Sequence, residues 1–176
     1  MPTIGVAIAI PQPFEAVLAD QRAAVGDPLA ASVPPHVTLL PPTVVTDAEL
    51  ADFVVHLAQV AEAAAPFEMA LQSTGTFRPV SPVVFVQVAR GISDCELLER
   101  AIRSGPIERD VPFAYHPHVT IAHHLDDAAL DKAYAALADF SAAFPVHAIS
   151  LYCHGTDAVW RTEREFVLEG MGTWSD

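Results

Sequence analysis

The spacing of apolar residues changes along the chain between two periods, which predicts a mixture of strands and helices. Phe53, Leu57 and Ala61 recur every fourth position and form one apolar face of a helix. The β-branched run Thr3–Ile10 predicts a buried strand. Prolines and glycines separate these segments. The predicted strands cover residues 3–10, 36–40, 67–77, 83–88, 145–154 and 158–168, with a further one from residue 118, and the predicted helices begin after Pro13, Thr46, Ser93 and Asp126 or Asp127.

Several helix and turn boundaries carry their own sequence signals. The Ser/Thr-x-x-Glu pattern at residues 46–49 and 93–96 predicts two capping boxes. In a capping box, each of the two side chains accepts a hydrogen bond from the free backbone N–H of the other residue. Asp126 or Asp127 caps the fourth helix, and residues 155–157 join the last two strands as a hairpin. The order of elements in the first half of the chain is repeated in the second, although most of the sequence is not.

The sequence Pro-His-Val-Thr occurs twice, with the two histidines 82 positions apart (118 − 36). Each copy predicts a strand that begins after its proline. Successive side chains of a strand point to opposite faces, so His36 and Thr38 share one face, and His118 and Thr120 do the same. If the halves of the chain fold alike, the two His–Thr pairs face each other across a cleft.

Two such pairs suit acid–base chemistry on a phosphodiester. An imidazole titrates near pH ~6.5, so one ring can take a proton from water while the other gives a proton to the leaving oxygen. Each transfer typically contributes ~10²–10⁴-fold in rate. The hydroxyl groups can donate hydrogen bonds to the non-bridging oxygens, where charge lies in an in-line displacement. This chemistry needs neither a metal nor a cofactor.

The charge balance limits the size of the substrate. The chain has 22 acidic and 9 basic residues, a net charge of −13, and no visible basic stripe. Long nucleic acids are bound mainly through neutralised phosphates, so we expect no partner of that kind. A phosphate-bearing partner should be small or held by its end alone.

Composition indicates a compact cytoplasmic protein. Apolar residues make up 52% of the 176 residues, enough for one domain with a sizeable core, which we expect to be a monomer. Cys95 and Cys153 are too few for a disulfide framework and favour a reducing compartment. The run Ile4–Ile10 lacks a basic leader and is too short to span a bilayer, so no membrane partner is expected.

The two His-x-Thr-hydrophobic sequences resemble the signature of the 2H phosphoesterase superfamily, and most of all its bacterial branch of RNA 2′,3′-cyclic phosphodiesterases, also called 2′–5′ RNA ligases. The resemblance covers nearly the whole chain. It implies an α+β fold over residues 1–176, with two pseudo-symmetric lobes whose antiparallel sheets line a central groove and whose helices lie outside. It also implies metal-free opening of a 2′,3′-cyclic phosphate, on a nucleotide or short RNA end, to a 2′-phosphate; whether 2′–5′ ligation occurs in reverse stays open.

Carried over by position, the resemblance makes His36 and His118 the acid–base pair, with Thr38 and Thr120 holding the phosphate. The histidine of the second motif is generally the base and that of the first the acid, although the reverse reaction exchanges these roles.

Other side chains are candidates for binding the rest of the substrate. Tyr115 and Phe77 lie near the predicted groove and suit stacking on a base, with core packing as the alternative for Phe77. Arg78 suits a second phosphate, with Arg161 and Arg164 as alternatives, although a surface carboxylate would satisfy each equally well.

Two further functions stay open. The cluster of His116, His118, His123 and His124 suits zinc or copper, although no cysteine or carboxylate falls at ligand spacing beside it. The same cleft would also serve a binding module that grips a nucleotide without turnover, and the fold alone does not decide between these functions. The remaining histidines are assigned structural roles, His56 on the exposed side of a helix and His147 and His154 in the terminal hairpin.

Overall fold

The computed structural model describes residues 1–171 and has eight strands and four helices. The α+β class predicted from the sequence is confirmed. In chain order the elements are β1 (Thr3–Ala9), α1 (Phe14–Ala24), β2 (His36–Val44), α2 (Asp47–Ala63), β3 (Phe67–Thr76), β4 (Val83–Arg90), α3 (Ile92–Arg103), β5 (His118–His123), α4 (Asp127–Ala136), β6 (Ser141–Val146), β7 (Ala148–His154) and β8 (Trp160–Val167).

The strands form one sheet in the order β6-β3-β4-β5-β2-β1-β7-β8, and every neighbouring pair is antiparallel. Two four-stranded halves meet at the pairing of β2 with β5, which we call the seam. The seam joins the sheets of the two expected lobes into one. The halves of the sheet also differ from the halves of the chain, because β7 and β8 complete the half that holds β1 and β2.

The helices cover the sheet face opposite the one that carries the His–Thr pairs. Alternation along the central strands buries Val37 and Val119 completely, while the histidines and threonines beside them stay partly accessible. Helix α3 packs against β2, and α1 packs against β5, so each helix lies under the strand of the other half. None of the helices in residues 1–171 is long and apolar enough to cross a membrane.

The two predicted capping boxes have different outcomes. At α2 the box is present, with the Thr46 hydroxyl accepting from the Glu49 N–H and the Glu49 carboxylate accepting from the Thr46 N–H. The box at Ser93 is wrong, because α3 already begins at Ile92. Gly91 has a φ of +90° there and turns β4 directly into the helix. Of the two candidates for the cap of α4, Asp126 or Asp127, the structure has Asp126, whose carboxylate accepts from the Ala129 N–H.

Two predicted strand boundaries are also wrong. Strand β2 continues through Pro41 and Pro42, because these residues lie where the register with β1 shifts and a missing N–H is tolerated. The predicted strand 145–154 is two strands, which pair with opposite halves of the sheet.

The sequence predicted His56 on the exposed side of α2, but its side chain is half-buried. Its Nε2 donates to the carbonyls of Ala101, at 2.9 Å, and Ile102, at 3.2 Å, and so joins α2 to the end of α3. The structural role assigned to this histidine agrees with that contact.

Candidate active site

The seam places both His–Thr pairs on one face of the sheet. Val37 lies opposite Val119, and this antiparallel register sets Thr38 opposite His118 and His36 opposite Thr120. Each histidine therefore faces the threonine of the other motif, and the two imidazoles lie on a diagonal. Diagonal neighbours across an antiparallel pair are about 7–8 Å apart at the backbone, a separation that leaves room for one phosphate group between them.

Both imidazole rings are held in the same orientation by backbone carbonyls. His36 Nδ1 lies 2.7 Å from the Pro34 oxygen, and His118 Nδ1 lies 2.7 Å from the His116 oxygen. A carbonyl oxygen can only accept, so each Nδ1 carries a hydrogen and donates it. The titrating nitrogen of each ring is therefore Nε2, and proton transfer in either direction has to pass through it.

Burial lowers the pKa of both histidines. For His36 burial is the main cause, opposed by the bond to Pro34 and reinforced by the positive charge of Arg22. For His118 burial again comes first, and the charges of His116 and His36 lower its pKa further. A protonated His36 therefore disfavours protonation of His118.

Two cavities flank the seam. The larger, of about 720 Å³, is lined by His118, Thr120 and Thr38 together with residues of the loop before β5. The smaller, of about 200 Å³, is lined by His36 and Thr38 together with β1 and the β7–β8 hairpin. Thr38 belongs to both, so the seam is the point at which the two cavities meet.

Tyr115 lines the larger cavity, but its hydroxyl is already bonded. The hydroxyl donates to the Thr38 carbonyl at 2.9 Å and so ties the loop before β5 to the strand of the other motif. Burial raises the pKa of this phenol well above its ordinary range. The side chain thus connects the two motifs, and only its ring face is left for a ligand.

Phe77 packs against the catalytic candidate His118. The edge-on rings have centroids 5.0 Å apart, and Phe77 also packs on Phe85 at 4.4 Å. Phe85 itself lies 5.2 Å from the His118 ring and opposite Thr120 in the sheet. Phe85 could not be singled out in the sequence, because one phenylalanine in a buried strand looks like any other core residue.

Arg78 is held by carboxylates of helix α4. Its guanidinium lies 2.9 Å from Asp131 and 3.5 Å from Asp127, and its Nε donates to the Thr76 hydroxyl. A second phosphate would have to compete with these partners. Arg161 is paired with Asp157 at 2.6 Å, and the other alternative, Arg164, lies 6.0 Å from the ring centroid of Phe166.

A buried ion pair supports the loop that leads into the first motif. Arg22 and Asp27 are almost fully buried and bond at 3.0–3.1 Å. Arg22 also donates to the Val33 carbonyl, next to the Pro34 that holds His36. This pair was missed in the sequence, although Arg22 follows Leu18 by four positions and so lies on the buried face of α1.

The remaining histidines near the groove form no metal-binding set. The rings of His123 and His124 are 3.8 Å apart, and His116 is exposed at 5.9 Å from His118. Within residues 1–171, no three His, Cys, Asp or Glu side chains converge as metal ligands would.

An antiparallel sheet that sets two His-x-Thr motifs on one seam defines the 2H phosphoesterase class. Within it, the chain belongs to the 2′-5′ RNA ligase superfamily, whose sequence model matches residues 10–158. The resemblance found in the two motifs is therefore confirmed.

Individual relatives agree with this assignment. The chain is 36% identical over 101 residues to a Bacillus pumilus protein named "Putative phosphoesterase", covering 57% of this chain and 58% of that protein. A Bacillus thuringiensis protein of the same name is 33% identical over 102 residues, or 58% and 59% of the two chains. The matched segment thus spans somewhat more than half the length of these relatives.

Solved structures share the fold over nearly the whole length. The crystal structure of TT0787 of Thermus thermophilus has a TM-score of 0.67 at 22% identity, covering 97% of this chain and 100% of that one. E. coli LigT complexed with 3′-AMP also has a TM-score of 0.67, at 19% identity and 96% and 99% coverage. At these identities the likeness establishes the architecture, and the predicted 2H-like fold is confirmed.

Proposed function

We propose that the protein is a metal-independent cyclic phosphodiesterase that opens a 2′,3′-cyclic phosphate, on a nucleotide or a short RNA end, to a 2′-phosphate. The observation that carries the proposal is the diagonal of His36 and His118 across the seam, with a threonine opposite each. This arrangement offers one proton acceptor, one proton donor and two hydroxyl groups around a single phosphorus atom.

The proposed reaction uses each group once. The neutral His118 takes a proton from water at Nε2 while the water oxygen bonds to phosphorus. The bond from phosphorus to O3′ breaks on the opposite side, and protonated His36 gives its Nε2 proton to O3′. Thr38 and Thr120 donate hydrogen bonds to the non-bridging oxygens as charge accumulates there.

The charge of the chain and the pairing of Arg78 support a small substrate. The net charge of −13 disfavours a long polyanion, and Arg78 is already bonded to Asp127 and Asp131. Structural relatives fit this size, since E. coli LigT has been crystallised with 3′-AMP, NADP+ and ATP.

Turnover of 2′,3′-cyclic mononucleotides, with products assigned by ³¹P NMR, tests the proposal. We expect activity that survives EDTA and falls by roughly 10²–10⁴-fold in His36→Ala and in His118→Ala. His147→Ala, the same change at an exposed position outside both cavities, should keep full activity.

Nucleotide binding without turnover at any pH would overturn the proposal and favour a binding module instead. Loss of activity in EDTA that added zinc restores would overturn the metal-free mechanism.

A further inference from the structure

The smaller cavity beside His36 has a distinctive lining. Its walls come from β1, the loop before β2 and the β7–β8 hairpin, and they are mainly carbon. The lining includes the aromatic indole of Trp160. The residues that matter here are Gly5, Ala7, Leu29, Val33, Tyr152 and Trp160.

The pseudo-symmetry of the sheet shows why this space is open. Ala7 lies opposite Thr38 on β1, and Phe85 lies opposite Thr120 on β4, so the two residues occupy equivalent positions. The Phe85 ring fills its side of the groove so tightly that a Cβ on the facing Gly75 would come within 2.6 Å of it. Ala7 leaves the equivalent space empty, and the cavity is the direct result.

The position of the cavity determines what part of a substrate reaches it. His36 and Thr38 line it, so any group inside is attached within a few bonds of the phosphate at the seam. Ligand pockets usually measure about 300–1,000 Å³, so a cavity of about 200 Å³ holds a fragment and not a whole nucleotide. An uncharged planar ring with apolar faces matches both the size and the indole wall.

We propose that this cavity binds the nucleobase of the substrate, stacked on Trp160. The inference rests on the proposed phosphodiesterase function and says where the base of that substrate lies. The carbon-rich walls recognise the faces of the ring more than its edges, so purines and pyrimidines should both be accepted. A base seated beside His36 also brings the ribose and its O3′ to that histidine, while water enters from the larger cavity near His118.

Substitutions that fill the cavity or remove its aromatic ring test the proposal. Ala7→Phe copies the Phe85 side of the groove, and Trp160→Leu removes the stacking surface, with Trp160→Phe as the conservative rescue. The readout is the ratio of kcat/KM for 2′,3′-cyclic AMP to kcat/KM for a base-free cyclic phosphate, glycerol 1,2-cyclic phosphate. We expect this ratio to fall at least tenfold in Ala7→Phe and Trp160→Leu and to recover in Trp160→Phe. Ala58→Phe, the same change on the exposed face of α2, is the control.

Equal losses on both substrates, or an unchanged ratio, would overturn the base-binding role. If the wild type opens no cyclic phosphate at all, the proposed function fails, but the cavity is still testable through 2′-AMP binding measured by calorimetry. Weaker 2′-AMP binding in Trp160→Leu than in Trp160→Phe and Ala58→Phe would then support the base site, and equal binding in all three would exclude it.

Discussion

At the scale of single residues, the protonation of two histidines decides the pH at which the site works. The proposed mechanism needs His36 protonated and His118 neutral, while burial lowers the pKa of both below the ordinary 6.5. Above that value both rings are neutral and the proton donor is lost. Well below it both are protonated and the base is lost. We therefore predict a bell-shaped kcat/KM profile with its maximum below about pH 6.5.

The profile for kcat should peak at higher pH than the profile for kcat/KM. A bound phosphate is an anion and stabilises the protonated imidazoles, which raises both pKa values in the complex. Steady-state rates between pH 4.5 and 9 check both statements. A profile that is flat from pH 5 to 9 would show that no acid–base pair of this kind operates.

The hydroxyl groups of the motifs give a second prediction. Thr38→Val and Thr120→Val keep the shape of the side chain and remove the donor, so each should lower kcat by about 10²-fold, the usual cost of losing one donor to a developing charge. KM should change little, since the hydrogen bonds strengthen mainly in the transition state. A raised KM with unchanged kcat would mean that the threonines only bind the ground state.

These residues could be found in the sequence because a repeated phrase with a two-residue period already fixes which side chains share a face. Their diagonal arrangement could not be found there, since it depends on the single pairing of Val37 with Val119 across the seam. The bonding of Arg78 to α4 and of Tyr115 to Thr38 joins segments far apart in the chain, which no local pattern reveals.

At the scale of elements, the same substitution in the two Ser/Thr-x-x-Glu sequences should affect stability differently. Thr46 caps α2, so Thr46→Ala should cost about 1 kcal/mol in the free energy of unfolding. Ser93 is exposed inside the first turn of α3, where alanine is the better helix former, so Ser93→Ala should be neutral or slightly stabilising. Urea unfolding at pH 7 measures both, and equal losses would show that Ser93 has a capping role after all.

The wrong boundary at Ser93 has a physical cause that recurs in the other elements. Gly91 can take a positive φ and begin α3 early, and at that position a Cβ would come within 3.0 Å of Phe67. Helices and strands were thus predicted well from apolar periodicity, which is local. Their ends were predicted less well, because a neighbouring segment often decides where an element stops.

At the scale of the whole molecule, the site exists because two halves of a sheet meet at one short seam. Each half supplies one motif strand at its inner edge, and each motif strand is supported from below by a helix of the other half. The repeat of elements along the chain predicted two lobes. It did not predict that β7 and β8 return to join β1, because sequence order does not fix the order of strands in a sheet.

Because the same burial that tunes the histidines also opposes their protonation, folding itself should depend on pH. The pKa values of His36 and His118 are lower in the folded protein than the 6.5 of an unfolded chain. Below about pH 6.5 the unfolded state therefore binds more protons than the folded state, and stability should fall as the pH falls. Above about pH 6.5 neither state binds protons at these two histidines, so their effect on stability no longer changes with pH.

Urea midpoints at pH 7.5, 6.5 and 5.5 measure this loss, and the wild type should lose stability more steeply than the variant His36→Gln/His118→Gln, which cannot titrate at these positions. Inorganic phosphate should restore part of the loss at pH 5.5, because an anion at the seam makes both protonated rings favourable in the folded state. If the wild type and the double variant show the same dependence on pH, burial does not lower the pKa values of these two imidazoles as the pH predictions require.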